Sequence, residues 1–352
     1  MGQATLLDIA RAVGTSTATV SRVLSKSGYP VRESLRQRVL ETARQLNYEP
    51  NLAGRLLKTR RSQEIGVIIP TVTNPFYARV LLGIESEARR RGYHVLFCDS
   101  FRHADTERAY IRTLQAKQVA GLIISSLGDD PALMEKLGRR GMQVVVMEQS
   151  LNDAQIHSVG FDFVKTGLMA VDHLAELGHK NLVFVTTPLA RRSRRERLEG
   201  FRLGLAKHGL GDGRVLVSAD EKEQESLVYE FSAGRSLAGQ LLQLDPLPDG
   251  VVAVNDLVAM SLIQHLTAAG VRIPQDLSVI GFDNLEFAEM ITPALTTIEQ
   301  PALEMGKMAC QILVSQIDRS RQEQPPDQKA QAVAITLEPR LVSRQSTTRR
   351  TL

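Results

Sequence analysis

From residue 65 to residue 317 the chain alternates short apolar runs with longer amphipathic stretches, and that alternation admits few folds. Runs with strand character cover 65–70, 94–98, 121–125, 143–147, 158–161, 181–186, 215–218, 250–254, 277–282 and 295–299. Helical periodicity covers 76–91, 105–117, 131–139, 164–177, 196–208, 232–243, 257–269 and 302–317. Gly92, Gly178, Gly209 and Gly270 each sit just past one of these helices, where a left-handed residue ends the turn. Repeated βα units predict parallel sheets with helices on both faces. Ten strands are many for one such sheet. A length of 352 residues, 43% of them hydrophobic, suits two or three domains with their own cores.

The first 50 residues follow a different pattern. Thr5 and Asp8 form a capping-box-like pair ahead of an apolar run. Leu6, Ile9, Ala10 and Val13 share a helical face, Gly14 suits a tight turn, and Ser16 is a good N-cap for a second helix. Val20, Val23 and Leu24 then point inward, which leaves Thr17, Ala18, Ser21 and Arg22 on the outer face. A third helix runs from about Glu33 to Leu46, with Leu35, Val39, Ala43 and Leu46 as its apolar stripe. Three helices with a glycine turn between the first two make a helix-turn-helix module, which places its second helix in a DNA major groove. The same pattern also fits a small helical subdomain whose Ser/Thr face is merely solvated. Charge separates the two readings. Residues 1–62 hold 11 Lys and Arg against 4 Asp and Glu, and the rest hold 32 against 35. The net charge of +4 therefore conceals a basic head on a slightly acidic body, the electrostatic footprint of a phosphate binder.

Several stretches resemble the LacI/GalR family of bacterial transcriptional regulators. They are Thr5-Leu6-Leu7-Asp8-Ile9-Ala10, Thr19-Val20-Ser21-Arg22-Val23-Leu24 and Leu46-Asn47-Tyr48-Glu49-Pro50-Asn51 in the head. In the body they are Ile65-Gly66-Val67-Ile68-Ile69-Pro70, Asn74-Pro75-Phe76-Tyr77, Arg197-Leu198-Glu199-Gly200-Phe201, Asn255-Asp256, Gly281-Phe282-Asp283-Asn284 and Leu295-Thr296-Thr297-Ile298. The resemblance runs in register over nearly the whole chain. It implies an N-terminal all-α helix-turn-helix head (1–50), a hinge helix or linker (51–62) and an α/β, periplasmic-binding-protein-like body (63–340). That body is expected to form two doubly wound parallel-sheet lobes, one from about 63–161 plus 293–322 and the other from about 162–292 plus 323–340. Residues 341–352 read as a tail. Some family members append apolar heptads there to make tetramers; 343–352 carries none, so a homodimer is expected.

By the same resemblance, residues in the head and linker contact double-stranded DNA at a pseudo-palindromic operator. Arg22 is the strongest base reader, because a guanidinium bonds guanine bidentately. Thr17 and Ala18 occupy the family's specificity positions and are small here. Thr5, Ser16, Thr19, Ser21, Tyr48 and Asn51 suit backbone contacts that fix register; a cap or a solvated hydroxyl is an equal reading for Thr19 and Ser21. Leu57 is expected to wedge into the minor groove with its dimer mate, flanked by Arg55 and Lys58. Two positions depart from the family pattern. Gly54 replaces an alanine, so Gly54→Ala should tighten operator binding in an anisotropy titration. Arg32 stands where a capping residue is usual, so the third helix should start weakly or take its cap from Ser34.

Candidate effector residues fall just beyond strand C-termini, where open α/β sheets place their sites. They are Phe76, Tyr77, Ser125, Asp162, Arg197, Asn255, Asp256 and Asp283. The resemblance makes Arg197 and Asp283 hydrogen-bonding partners of the effector, gives Asn255 further polar contacts and makes Phe76 and Tyr77 an apolar wall. Tyr229 or Phe231 would supply the opposite wall, and Asp162 reads equally as a turn aspartate. The run from Arg191 to Arg197 holds five arginines in seven residues at a helix start, where cations oppose the dipole. Either Glu196 and Glu199 compensate them, or an anionic effector such as a sugar phosphate or sugar acid does, with Arg191 and Ser193 in its site. The effector is expected to be a sugar or sugar derivative, with a nucleoside or purine as the alternative.

Other classes fit poorly. Cys98 and Cys310 make no disulfide framework, no apolar segment of a signal peptide follows Met1, and no 18-residue apolar run occurs, so a cytoplasmic, nucleoid-associated protein off the membrane is expected. An exported sugar-binding protein without a DNA role would lack the basic head. No Walker-type loop, no G-x-G-x-x-G after a strand and no G-x-S-x-G elbow is present, and the seven histidines are scattered. Hence no enzyme, cofactor or metal is expected.

Overall fold

The computed structural model describes residues 4–25, 29–48, 62–125, 142–148, 156–218, 228–320 and 332–350. Two compact units result, Met1–Arg61 and Ser62–Leu352.

The first unit contains helices α1 (Leu6–Val13), α2 (Thr17–Leu24) and α3 (Glu33–Gln45). The capping box at α1 is formed: the Thr5 backbone N–H donates to Asp8 Oδ2 (2.8 Å), and the Asp8 N–H donates to Thr5 Oγ1 (3.3 Å). Gly14 ends α1 at φ +68°, and Ser16 Oγ accepts from the Thr19 N–H (3.2 Å) to start α2. At α3 Arg32 is the cap residue and makes no side-chain cap, and Ser34 supplies none. Ile9, Ala10, Val13, Val20, Val23, Val39 and Ala43 form the core, and Leu6, Leu24, Val31, Leu35 and Tyr48 pack around it. Leu46, expected in the stripe of α3, lies past the helix end and is 40% exposed. Arg38 caps the far end of α1, donating to the Val13 carbonyl at 2.9 Å.

The second unit is built from two six-stranded sheets with one topology repeated. In chain order its elements are β1 (Glu64–Ile69), α4 (Pro75–Arg90), β2 (His94–Asp99), α5 (Ala104–Ala116), β3 (Gly121–Ile124), β4 (Gln143–Met147), β5 (His157–Phe161) and α6 (Phe163–Glu176). There follow β6 (Leu182–Thr186), α7 (Arg192–His208), β7 (Arg214–Val217), α8 (Tyr229–Leu241), β8 (Gly250–Ala253), α9 (Asp256–Ala268) and β9 (Ser278–Asp283). A 3₁₀ turn (Glu286–Glu289) leads to β10 (Thr296–Glu299), α10 (Ala302–Ser320), β11 (Ala334–Leu337) and β12 (Arg340–Val342). The first sheet has the order β11-β5-β4-β3-β1-β2 and the second β12-β10-β9-β8-β6-β7. All pairings are parallel except β10 with β12. The expected helix over 131–139 lies outside the described residues.

In each lobe two helices cross very closely at a reciprocal pair of glycines. A Cβ on Gly83 of α4 would lie 2.2 Å from the Leu303 carbonyl oxygen of α10, and one on Gly306 would lie 2.1 Å from that of Val80. In the second lobe Gly167 of α6 and Gly200 of α7 stand in the same reciprocal relation, 2.2 Å from the Arg197 oxygen and 1.9 Å from the Val164 oxygen. Only a residue without a side chain lets the backbones meet there.

Strand pairing corrects the expected lobe boundaries. The chain crosses between lobes three times, after β5, after β10 and after β11. β10, from the 293–322 segment assigned to the first lobe, pairs with β9 in the second sheet, whereas α10 packs on the first lobe. From the 323–340 segment assigned to the second lobe, β11 joins β5 in the first sheet. The expected tail is also part of the structure. β12 pairs with β10, Ser346 is fully buried, and its Oγ accepts from the Thr296 N–H (2.8 Å) while donating to the Val279 carbonyl (2.6 Å). Three- and four-residue strands carry too little pattern to specify an edge; the edge left open by the rest of each sheet decides it.

Candidate functional site

Each sheet reverses its strand order once, between β1 and β3 in the first lobe and between β6 and β8 in the second. Ligand sites in open α/β sheets lie beyond the strand C-termini at such reversals. The segments that leave those strands line one cleft between the lobes. Asn74, Phe76 and Tyr77 follow β1, Arg102 follows β2 and Glu148 follows β4. From the other side come Arg191, Ser193, Arg194 and Arg197 after β6, Val254 and Asn255 after β8, Asp283 at the end of β9, and Glu230 in the first turn of α8.

Two polar clusters organise this cleft. In the first, Glu148 of one lobe meets Arg191 of the other, with Nη2 to Oε2 at 3.2 Å. The Tyr77 hydroxyl donates to Glu148 (3.1 Å to Oε2) and accepts from Arg191 Nη1 (2.5 Å), and Ser125 Oγ donates to the same Oε2. In the second, Arg197 Nη2 lies 3.6 Å from Asp283 Oδ1, and Arg197 Nη1 donates to the Val254 carbonyl (2.8 Å). The Arg197 guanidinium sits against the Phe163 and Phe282 rings, at 5.0 and 4.7 Å from their centroids. Further ties cross between the lobes: Arg102 with Glu230, and Arg79 Nη1 donating to the Asn284 carbonyl at 2.8 Å.

Burial sets the electrostatics. It pushes the Asp283 carboxyl well above the usual range, with the Arg197 charge pulling the other way. It lowers the Arg197 guanidinium, against Asp283. Burial also opposes the Arg191 charge, but Tyr77 and Glu148 outweigh it and hold that guanidinium above its ordinary value. The Tyr77 phenol is pushed up by burial and stays a neutral donor.

In the head, Thr17, Ala18 and Arg22 are exposed on α2, and Thr19 and Ser21 are half-buried. Ser16 Oγ and Thr19 Oγ1 lie 2.9 Å apart, so both hydroxyls serve the helix cap. The Arg22 guanidinium stacks on the Tyr29 ring, 4.1 Å from its centroid. Thr5 is committed to the capping box, where its hydroxyl donates to Asp8 Oδ2 at 2.7 Å.

This architecture has close counterparts. Residues 5–51 match the model of the lacI family of bacterial regulatory proteins, and residues 171–347 match the periplasmic binding protein-like domain. The HTH-type transcriptional repressor PurR of Photobacterium profundum is 32% identical over 321 residues, 91% of this chain and 94% of that protein. The ribose operon repressor of Escherichia coli is 32% identical over 338 residues, 95% of this chain and 98% of that protein. The chain belongs to the lacI family. The Lac repressor dimer bound to operator and the anti-inducer ONPF superposes with a TM-score of 0.84 at 24% identity, covering 99% of this chain and all of that one. A LacI family regulator from Enterococcus faecium with bound ribose gives 0.70 at 28% identity, over 82% of this chain and all of that one.

As a lacI family member the chain pairs a DNA-binding head with an effector-binding body, and the structure sorts the expected site residues. Phe76, Tyr77, Arg191, Ser193, Arg197, Asn255 and Asp283 share the cleft, and Ser125 braces it through Glu148. Four do not belong to its lining. Asp162 is the exposed N-cap of α6, accepting from the Lys165 N–H at 2.8 Å, as a turn aspartate would. Asp256 is buried inside the second lobe, where it accepts from Thr297 Oγ1 (2.6 Å) and the Leu285 N–H (2.8 Å); burial pushes it up to about 7 despite those bonds. Tyr229 is buried beside Arg102, and Phe231 is exposed against His265, so neither forms the opposing wall. Asn51, Arg55, Leu57 and Lys58, with Gly54, lie outside the described residues.

Sequence reasoning missed Asn74, Arg102, Glu148, Glu230 and Val254 as lining residues, whereas Arg194 belongs to the arginine run it singled out. Glu148 obeys the strand-end rule, since it directly follows β4, but nothing in its neighbours marks it. Arg102 and Glu230 have no local signal; they matter because the fold brings them together over 128 residues of chain. Among the described residues no helix is long and apolar enough to cross a membrane.

Proposed function

We propose that this chain is a dimeric transcriptional repressor whose operator affinity is set by a small polyhydroxylated effector held between the lobes. One observation carries the reading: strand-end residues of both lobes converge on the Tyr77–Glu148–Arg191 cluster and the Arg197–Asp283 pair. Planar guanidinium and carboxylate groups facing a cleft match ring hydroxyls, which donate and accept at fixed spacing. A flat purine would gain most from stacking between two aromatic faces. Among the described lining residues the aromatics are Phe76 and Tyr77, both from the first lobe, which favours a polyol. A relative named ribose operon repressor and a relative with bound ribose support the same class.

Control follows from the ties between the lobes. An effector that replaces Glu148 on Arg191, or Glu230 on Arg102, changes what holds the lobes together. A coupling of about 1–3 kcal/mol to the DNA-bound form is enough for regulation. In the head, Arg22 reads a base from a position steadied by Tyr29, and Thr17 and Ala18 let α2 approach closely. Ser16, Thr19, Ser21 and Tyr48 hold the register, and Leu57 kinks the operator centre in the minor groove. The work is done at the chromosome, in the cytoplasm, and no catalytic step is assigned to any residue. The relatives are repressors rather than enzymes.

The test is an anisotropy titration on an operator selected from a random duplex pool, with and without sugars, sugar acids, sugar phosphates, nucleosides and purines. A palindromic site, steep salt dependence and a shift of affinity by one sugar-class compound are expected. Arg22→Ala should cost about 1–3 kcal/mol and relax one base position. A purine that shifts affinity where no sugar-class compound does would overturn the effector class.

A further inference from the structure

Among the described residues four guanidinium groups line the cleft, those of Arg102, Arg191, Arg194 and Arg197, against three carboxylates, Glu148, Glu230 and Asp283. Each carboxylate is already matched: Glu148 with Arg191, Glu230 with Arg102 and Asp283 with Arg197. Arg194 is the fourth cation. Its Nη1 donates to the Pro188 carbonyl at 2.7 Å, and among the described residues no carboxylate lies within ion-pair distance of it. A guanidinium has five donors, so one such bond leaves most of them unused.

The neighbouring acids do not resolve the imbalance. Glu196 is bound to Arg192, and Glu199 is exposed on α7 away from the lining residues. Arg195 turns back to the Leu189 and Ala190 carbonyls. Arg194 also sits in the first turn of α7, a 17-residue helix whose start has no side-chain cap. There the helix dipole adds positive potential to that of Arg191 and Arg102. Burial first, and then the Arg191 charge, push Arg194 down to about 10, with Tyr229 and Glu230 pulling the other way, so its charge is held at a cost.

We propose that the effector is a monoanionic polyol, a sugar acid, whose carboxylate is bound by Arg194 at the start of α7. The proposal rests on the cleft being the effector site. A carboxylate fits the fork of a guanidinium through two parallel bonds. Among the described residues the excess is one cation, which matches one negative charge. A phosphate dianion would bring a second charge close to Glu148 and Glu230. The hydroxyls of the same molecule then reach Asn74, Ser193 and Asn255 across the cleft.

The experiment uses the full chain and matched ligands, by thermal shift and calorimetric titration. Glucose and galactose are compared with gluconate and galacturonate, and with glucose 6-phosphate and ribose 5-phosphate, all at equal ionic strength. A sugar acid is expected to bind at least tenfold tighter than its neutral counterpart. Arg194→Gln should reduce that preference to parity, and Arg194→Lys, which keeps the charge but loses the fork, should retain part of it. Without ligand, R194Q should melt at the same temperature as the parent or higher, because an uncompensated charge has gone; a purely structural arginine would lower it. Neutral sugars binding as tightly as the acids overturn the proposal. So does a phosphate ester preferred over every acid, an acid preference that survives R194Q, or no acid raising the melting temperature above a chloride control. Asp283→Asn separates this from the underlying reading. Where the acid preference is absent but D283N abolishes binding of a neutral sugar, the cleft stands and only the charge assignment falls; if bound ligand ignores both D283N and R194Q, both fall.

Discussion

The head and the cleft are positioned over very different lengths of chain. In the head, Thr5 and Asp8 close a capping box three residues apart, and Ser16 caps α2 through Thr19 at the same spacing. In the cleft, Tyr77 meets Glu148 across 71 residues, Arg191 meets Tyr77 across 114, and Arg102 meets Glu230 across 128. The head is a local structure with a small core of its own. The cleft exists only once two sheets have formed and three crossings have set them together. Damage to the head should therefore stay in the head, and damage to one lobe should be felt at the cleft.

The strongest way to break that contrast is Ile9→Ala. Ile9 is fully buried at the centre of the head, and its truncation should cost about 2–5 kcal/mol. A module this small has little reserve, so the head should unfold and DNA binding should vanish. Calorimetry should show the transition of the body unchanged; a body transition that moves with the head would end the picture of two independent units.

Next comes Gly200→Ala, which places a Cβ 1.9 Å from the Val164 carbonyl oxygen in the α6–α7 crossing. Overpacking of this kind costs about 1–3 kcal/mol. The melting temperature of the body should fall, and effector affinity with it, because Arg197 lies one turn away on α7. Isolated head function should persist. An unchanged melting curve would show that the crossing relaxes freely.

A smaller effect is expected for Ser16→Ala, about 1 kcal/mol through the lost α2 cap. Denaturant titration of a 1–61 fragment, if it folds alone, and of the full chain should return the same value; a mismatch would reveal support for the head from outside it.

The smallest effect is a pH slope. Asp256 has a folded-state value of about 7, raised by burial from an ordinary 3.8. Between those values the folded state holds a proton that the unfolded state has released. Stability on this account is therefore greatest below 3.8 and declines as pH rises toward 7. Thermal melts of Asp256→Asn over that window should be flatter than those of the parent, and a parallel pair of curves would remove Asp256 from the account.

Much of the fold was legible because periodicity is local. The ten strand runs and seven of the eight helix runs in the body were placed within a few residues, as α7, expected from 196 and found from Arg192, illustrates. The caps of α1 and α2 were readable for the same reason. What the periodicity could not carry was partnership. β10 and β11 went to the opposite lobes, the segment around Ser346 proved to be packed structure, and Leu46 fell outside its own stripe. In the site, Arg197 and Asp283 were found through family resemblance, whereas Glu148, Arg102 and Glu230 look like surface charges until their partners are known.

The amino-acid sequence by itself determined the basic head, the capped helices, the βα alternation and the family, because each depends on neighbours a few residues apart or on motifs in a row. Tertiary structure alone decided which edge each short strand takes, which acids and arginines pair in the cleft, and that among the described residues Arg194 is left over. Pairing energies depend on distance and burial in space, and neither is written in the spacing of residues along the chain.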